Sequence, residues 1–65
     1  MNNILVTFAT MSDLTRFVRK AKISETEIID QNEKALVLPL YLLAYASEEK
    51  DLVEEIFEGV ASLVH

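Results

Sequence analysis

Carboxylates are the groups in this chain whose number and spacing could most readily support chemistry. Six of them follow Ser47 closely: Glu48, Glu49, Asp51, Glu54, Glu55 and Glu58. Such a set could bind a cation, or two members could act as an acid–base pair in a cleft that perturbs their pKa values. Acidic residues at the start of a helix are also stabilised by the helix dipole. Because an exposed helix offers no such cleft, we interpret the set as a solvated helix face.

Other reactive residue types are scarce. The chain has no cysteine, and its one histidine is His65. A zinc site would therefore have to consist of carboxylates alone, which is unusual for zinc. Ser12, Ser24 and Ser62 lack a histidine or lysine placed to activate them as nucleophiles. We expect no enzymatic activity, no cofactor and no bound metal.

Basic residues form a second cluster, between positions 16 and 22. Its members are Arg16, Arg19, Lys20 and Lys22. They could pair with the acidic set, within the chain or between subunits, or they could face a separate acidic partner. Nucleic acid is not expected as that partner, because its phosphates require a basic surface and the formal net charge here is −5.

Length and composition indicate one small domain, residues 1–65. Of these 65 residues 51% are hydrophobic, and a small domain has too much surface to bury them all. The excess either stays exposed on a monomer or is covered in a homo-oligomer, and we expect a homodimer. The longest apolar run, Ala35–Ala46, is shorter than the roughly 20 residues that span a membrane. Since Met1–Asn3 carries no positive charge typical of a signal peptide, a cytoplasmic protein without membrane association is expected.

The elements that would position these residues begin with a strand and a helix. Ile4–Thr10 is rich in β-branched and aromatic residues, and even its second face, which carries Leu5, is half apolar. Apolar residues then recur at helical spacing from Ser12 to Lys22, with Thr10 or Ser12 as the cap.

A β-hairpin is predicted next. Its strands are Glu25–Asp30 and Ala35–Leu38, and the polar segment Gln31–Lys34 joins them. Asn32 is the turn residue best suited to a left-handed conformation. Pro39 cannot donate to a strand ladder and should end the second strand.

Two helices are predicted to complete the chain. Leu40–Ala46 is apolar all round and indicates a short buried helix, after which Ser47 caps a last helix. The apolar stripe of that helix would be Leu52, Val53, Ile56, Phe57, Val60 and Val64. The predicted fold is therefore of the α/β (α+β) class: a small open-faced sandwich of order β-α-β-β-α-α, with helices on one face of a three-stranded sheet.

The spacing of these segments resembles that of the HPr family, the small phosphocarrier proteins of the bacterial sugar phosphotransferase system. The residues that carry the resemblance are Phe17-Val18, Glu27-Ile28-Ile29, Asn32-Glu33-Lys34 and the run from Val37 to Ser47. HPr proteins place a phosphate-accepting histidine and an arginine at the start of the first helix, where this chain has Thr10–Asp13. The resemblance thus implies a fold and a partner-binding role, but not phosphocarrier activity.

HPr-like domains also have a fourth strand in the centre of the sheet, between the middle helix and the last one. The predicted elements leave no room for it between Ala46 and Ser47. The first strand should then pair directly with the second, in parallel, or with a strand of another chain. Exposed sheet edges in either arrangement favour self-association.

The predicted function is that of a non-enzymatic interaction or regulatory module, similar to a degenerate HPr, that self-associates and regulates a bacterial partner protein. The alternative is a structural or assembly subunit of a homo-oligomer without a signalling role. The start of the first helix and the apolar helix correspond to the face that HPr-like proteins present to partners. The predicted interaction residues are Met11, Ser12, Arg16, Tyr41 and Tyr45. The two tyrosines are four residues apart and should share one helix face.

Overall fold

Two helices and four strands account for most of residues 3–59, the part of the chain that this computed structural model describes. In chain order they are β1 (Asn3–Thr7), α1 (Met11–Ala21), β2 (Asp30–Asn32), β3 (Ala35–Pro39), α2 (Leu43–Glu48) and β4 (Glu55–Glu58). Single 3₁₀ turns at Glu25–Glu27 and Leu40–Leu42 precede β2 and α2. The strands form one antiparallel sheet in the order β2-β3-β1-β4.

The strand order is that of two interleaved βαβ units. β3 lies between β1 and β2, and β1 in turn lies between β3 and β4, which is the split βαβ topology of ferredoxin-like folds. The prediction that the first two strands pair directly in parallel is wrong, because β3 separates them. A fourth strand is present after α2, but it lies at an edge of the sheet. The resemblance to HPr implies a central one.

The predicted three-stranded sheet and the predicted helix from Ser47 onward are wrong for the same reason. Ser47 belongs to α2, and after it the backbone N–H groups of Leu52 and Val53 both bond to the Glu49 carbonyl, at 3.1 and 3.0 Å. This turn ends the helical path. It sends the following residues back along the edge of β1 as a strand.

The return to β1 is anchored at both ends of β4. The N–H of Glu54 donates to the Thr7 carbonyl at 2.7 Å, and the N–H of Gly59 donates to the Asn3 carbonyl at 2.7 Å. The observed order is therefore β-α-β-β-α-β. The remainder of the predicted last helix, including Val60 and Val64, lies outside the described residues, as does His65.

Alternation along β1 separates a covered face of the sheet from an open one. Ile4 and Val6 are fully buried and pair with Leu38 and Leu36 of β3. Leu5 lies between them and faces the other side. The core cluster consists of Ile4, Val6, Phe8, Leu14, Phe17, Ile23, Leu36, Leu38 and Ala46. Because it includes residues of α1 and of α2, both helices pack on the same face, as predicted.

Local signals set both ends of α1. The hydroxyl of Thr10 accepts from the N–H of Asp13 at 3.1 Å, so of the two predicted caps, Thr10 and Ser12, the structure has Thr10. At the other end Lys22 adopts a left-handed conformation with φ 55°. The N–H groups of Lys22 and Ile23 then bond to the carbonyls of Arg19 and Val18 at 3.2 and 3.1 Å. This is the Schellman pattern that terminates many helices.

The hairpin differs from its prediction in three ways, the first of which is that Gln31 and Asn32 belong to β2 and not to the turn. Residues 25–27 form a 3₁₀ turn and not a strand, because the Glu27 carboxylate accepts from the N–H of Ser24 at 3.0 Å in a capping-box arrangement. Asn32 is also not left-handed: among the described non-glycine residues only Lys22 has positive φ. The Asn32 side chain instead accepts from the N–H of Lys34 at 2.9 Å, which closes the turn locally.

Candidate interaction surface

A row of apolar side chains crosses the open face of the sheet, on the side away from the helices. The register places Leu5 opposite Val37 of β3 and opposite Phe57 of β4. Neither helix contributes to this face, because the helices pack against Ile4 and Val6 on the other side. We call Val37, Leu5 and Phe57 the apolar row.

Exposure rises along the apolar row from the interior of the sheet to its edge. Val37 is fully buried although it lies outside the core cluster, and its register partners on the neighbouring strands are Leu5 and Asp30. Leu5 is half-buried, and Phe57 is 45% exposed. An aromatic side chain on an edge strand with this exposure is typical of surfaces that contact another protein.

A second exposed apolar residue lies next to β2. The N–H of Ile29 donates to the Val37 carbonyl at 2.9 Å, while Asp30 is the register partner of the same Val37. Two residues therefore oppose one, which is the pattern of a β-bulge. Ile29 is 46% exposed, so apolar surface is present at both ends of the open face.

The outer edge of β4 offers backbone hydrogen-bonding groups. Since Gly59 bonds to Asn3, and bonded pairs alternate along an antiparallel ladder, Phe57 also directs its backbone groups toward β1. The backbone N–H and C=O of Ile56 and Glu58 then point away from β1. Within residues 3–59 no strand lies on that side.

The predicted interaction residues at the start of α1 are all at the surface. Met11 is 62% exposed, and Ser12 and Arg16 are exposed as well. Arg16 lines a shallow cleft between α1 and the turn after α2. The other residues of this cleft are Arg19, Lys20, Glu49, Asp51 and Leu52. No described hydrogen bond, ion pair or ring contact within residues 3–59 joins Met11 or Ser12 to either tyrosine.

Tyr41 and Tyr45 have different surroundings, contrary to the prediction that they share a helix face. Residues 40–42 form a 3₁₀ turn and α2 begins at Leu43, so the segment is not one regular α-helix. Tyr41 is 66% exposed and donates a hydrogen bond to Glu27. Tyr45 is half-buried, with its ring 5.4 Å from that of Phe17 between centroids.

The hydroxyl of Tyr45 is the one buried side-chain polar atom among the described residues that has no hydrogen-bond partner. Burial raises the pKa of this hydroxyl, and the negative charge of Glu49 raises it further. An unpaired buried hydroxyl destabilises the folded state. Tyr45 therefore acts as a core residue here, whereas Tyr41 presents its side chain to solvent.

Opposite charges pair across the cleft, as one of the alternatives for the basic cluster predicted. Lys20 Nζ lies 2.7 Å from a Glu49 carboxylate oxygen. The hydrogen bond that Lys20 donates to this carboxylate, together with the negative charge of Glu49, raises the pKa of Lys20. Lys20 is largely exposed, so the pair contributes little to stability. The acidic residues are spread over α2, the following turn and β4, so they do not form one helix face.

A second polar contact connects the 3₁₀ turn before α2 with the turn after α1. The hydrogen bond from the Tyr41 hydroxyl lowers the pKa of Glu27, and the N–H of Ser24 lowers it further. The same bond raises the pKa of Tyr41. The bond therefore favours the charged form of Glu27 and the neutral form of Tyr41, and it joins the two turns. Neither shift brings a pKa toward neutral pH, where a general acid or base would need it.

Sequence reasoning missed the apolar row. It assigned Phe57 to a helix, and it placed Val37 in the strand Ala35–Leu38 without assigning the side chain to a face of the sheet. Leu5 could have indicated the apolar row from the sequence. It lies on the second face of the first strand, and that face is half apolar, which is typical of a sheet with apolar surface on both sides.

The fold and this surface define a small α+β domain with a four-stranded antiparallel sheet, two helices on one face and an apolar row on the other. No family model, curated protein or solved structure matches the chain. Within the described residues, three or more His, Asp or Glu side chains are nowhere grouped as a metal site would require. None of the helices found there is long and apolar enough to cross a membrane.

Proposed function

We propose that this protein is a non-enzymatic interaction module that self-associates in the cytoplasm and regulates a bacterial partner protein. The observation that carries the proposal is the apolar row on the side of the sheet away from the helices, which ends in the exposed Phe57 on an edge strand. An exposed aromatic ring beside the backbone groups of an edge strand is suited to binding another strand. The composition supports the same conclusion, since the chain is rich in hydrophobic residues for its size.

The regulatory part of the proposal is supported by the resemblance of Leu5–Ser47 to HPr-like chains. The strand order differs from the one that this resemblance implies, so self-association rests on the exposed surface and not on membership of that family. The non-enzymatic part is supported by the clefts of the described region, which have the exposed character of surface grooves. The pKa shifts there arise from surface hydrogen bonds and from one buried tyrosine.

Sedimentation velocity over a wide dilution series tests the proposal. We expect the mass to change from that of two chains to that of one as the protein is diluted. A single-chain mass at every concentration would contradict self-association. A pull-down with the purified protein as bait, in which Met11→Glu, Arg16→Glu and Tyr41→Ala are compared with the unchanged chain, tests whether the predicted interaction residues bind a further partner. Retention of every bound protein by all three variants would remove that surface from the proposal.

A further inference from the structure

The edge of β4 can pair with itself. We propose that two copies of this chain associate through antiparallel pairing of their β4 strands, with Phe57 on the two-fold axis, to form one continuous eight-stranded sheet. This inference rests on the proposed self-association and names the surface responsible for it. The outward backbone groups of Ile56 and Glu58 provide the hydrogen bonds, as in other cases of strand addition at a sheet edge.

The charge pattern selects one register. The backbone N–H and C=O groups of Ile56 and Glu58 point outward. The two-fold axis that relates the two β4 strands can therefore pass through Ile56, Phe57 or Glu58. An axis at Ile56 places Glu58 opposite Glu54 of the second copy, and an axis at Glu58 places this residue opposite itself. Like charges directly opposite each other destabilise a strand pair. An axis at Phe57 avoids both, since Glu58 then lies opposite Ile56 of the second copy and Glu55 lies opposite Gly59.

The same register continues the apolar row. Phe57 of one copy would face Phe57 of the second copy as a non-hydrogen-bonded pair, in which side chains approach most closely. The row Val37–Leu5–Phe57 then runs without interruption into its symmetry mate. The exposed part of Phe57 is thereby covered by an identical ring, and aromatic pairs are among the favourable cross-strand neighbours.

The opposite edge of the sheet is less suited to pairing. β2 has three residues, Asp30–Asn32, and a bulge at Ile29 precedes it. Short, bulged edge strands are a common protection against edge pairing. β4 has a similar two-against-one arrangement at its start, where Glu54 bonds to the Thr7 carbonyl while Glu55 is the register partner of Thr7. This bulge precedes the segment Ile56–Glu58 that would pair, and β4 carries the exposed aromatic ring.

The remaining acidic charge gives the dimer a characteristic salt dependence. In the Phe57 register the two Glu58 side chains are diagonal neighbours, about 7–8 Å apart. The Debye length falls from about 8 Å at physiological ionic strength to about 3 Å at 1 M. Salt therefore screens this repulsion, and association should tighten as salt is added. A dimer held by pairing of Arg16 with carboxylates would weaken under the same change.

Disulfide trapping tests the register directly, because the chain contains no cysteine. Cα atoms in a non-hydrogen-bonded antiparallel pair are about 4.5 Å apart, within the about 4.4–6.8 Å range that disulfides bridge. Phe57→Cys should form a covalent dimer under mild oxidation at least about tenfold faster than Glu55→Cys or Met11→Cys. In the proposed register, the two cysteines of a Glu55→Cys or a Met11→Cys dimer would lie too far apart to form a disulfide. Equal rates for the three variants, or fastest trapping of Met11→Cys, would overturn the proposal.

Sedimentation of uncrosslinked variants separates the two proposals. Phe57→Glu places a carboxylate opposite its own copy and should weaken association by about tenfold or more. Gln31→Glu adds the same charge on β2, at the opposite edge of the sheet, and should leave association unchanged. Circular dichroism and urea unfolding of each variant establish that β4 still folds. A folded Phe57→Glu variant that dimerises as the unchanged chain does would overturn the β4 interface and leave self-association standing. A monomeric unchanged chain would overturn both.

Discussion

Replacement of Tyr45 by phenylalanine should stabilise this protein. The change removes one oxygen atom, the hydroxyl that is buried without a hydrogen-bond partner among residues 3–59. The ring and its tilted contact with Phe17, 5.4 Å between centroids and 56° between planes, are retained. The variant therefore removes an unfavourable group without disturbing the packing around it.

The size of the effect follows from two opposing contributions. An unpaired buried hydroxyl costs about 1–3 kcal/mol of folding free energy. Its few van der Waals contacts, each about 0.1–0.2 kcal/mol, recover less than that. We expect the free energy of unfolding to rise by about 1 kcal/mol, which corresponds to an increase in Tm of about 4–8 °C for a domain of this size. Tyr45→Ala, which also loses the ring, should instead destabilise by about 2–4 kcal/mol.

Urea unfolding followed by circular dichroism measures the change, with an unaltered m-value as the check that only stability has changed. Tyr41→Phe is the matched control, because its hydroxyl is exposed and bonded to Glu27, so it should not stabilise. Burial raises the pKa of Tyr45, so wild-type stability is present below the unfolded tyrosine pKa of about 10 and is lost as pH rises through the folded value. The advantage of Tyr45→Phe should grow above that pH. A loss of stability in Tyr45→Phe at pH 7 would refute this reasoning, since it would show that the hydroxyl is favourably bonded.

Three further sets of substitutions test the local structure. Thr10→Ala removes the α1 cap and should lower the free energy of unfolding by about 1 kcal/mol in urea titrations, whereas Thr10→Ser retains the acceptor and should change it little. Lys22→Gly relieves the left-handed conformation and should stabilise relative to Lys22→Ala by about 1 kcal/mol; equal stabilities would contradict the strained cap. Because its folded pKa is lowered, Glu27 contributes stability that is present above its unfolded pKa of about 4.3 and is lost as pH falls through the folded value. Glu27→Gln and Tyr41→Phe should each reduce this acid dependence in thermal melts between pH 3 and 6, and an unchanged profile in both would show that the bond does not form.

Features encoded within a few neighbouring residues could be predicted from the sequence. The prediction placed the first helix within one residue of its bounds, with Thr10 as one of two candidate caps, and ended the third strand at Leu38, one residue before its observed end. Each rests on a local signal: helical periodicity, a side-chain acceptor and a missing N–H. The 3₁₀ turn at Glu25–Glu27 was missed although its signal, the spacing of Ser24 and Glu27, is equally local.

The interaction surface depended on contacts between distant residues, and most of it could not be predicted. The tyrosine pair was expected on one face, but one 3₁₀ turn between Pro39 and Leu43 gives the two rings different partners. The apolar row joins residues of three strands through their register, which no local pattern specifies. Its position therefore follows only once β3 and β4 are known to flank β1.

The segment that forms β4 shows why residues with helical spacing form a strand here. Leu52, Val53, Ile56 and Phe57 have the spacing of a helix stripe, and a helix would direct all four toward the core. The turn in which Leu52 and Val53 both bond to the Glu49 carbonyl ends the helical path at the start of this stripe. Residues Glu55–Glu58 then pair with β1 as a strand. The strand then separates two adjacent apolar side chains: Ile56 packs against the core, and Phe57 lies on the open face. β4 thus places one of the exposed hydrophobic side chains, Phe57, at an edge of the sheet, where a second copy can cover it.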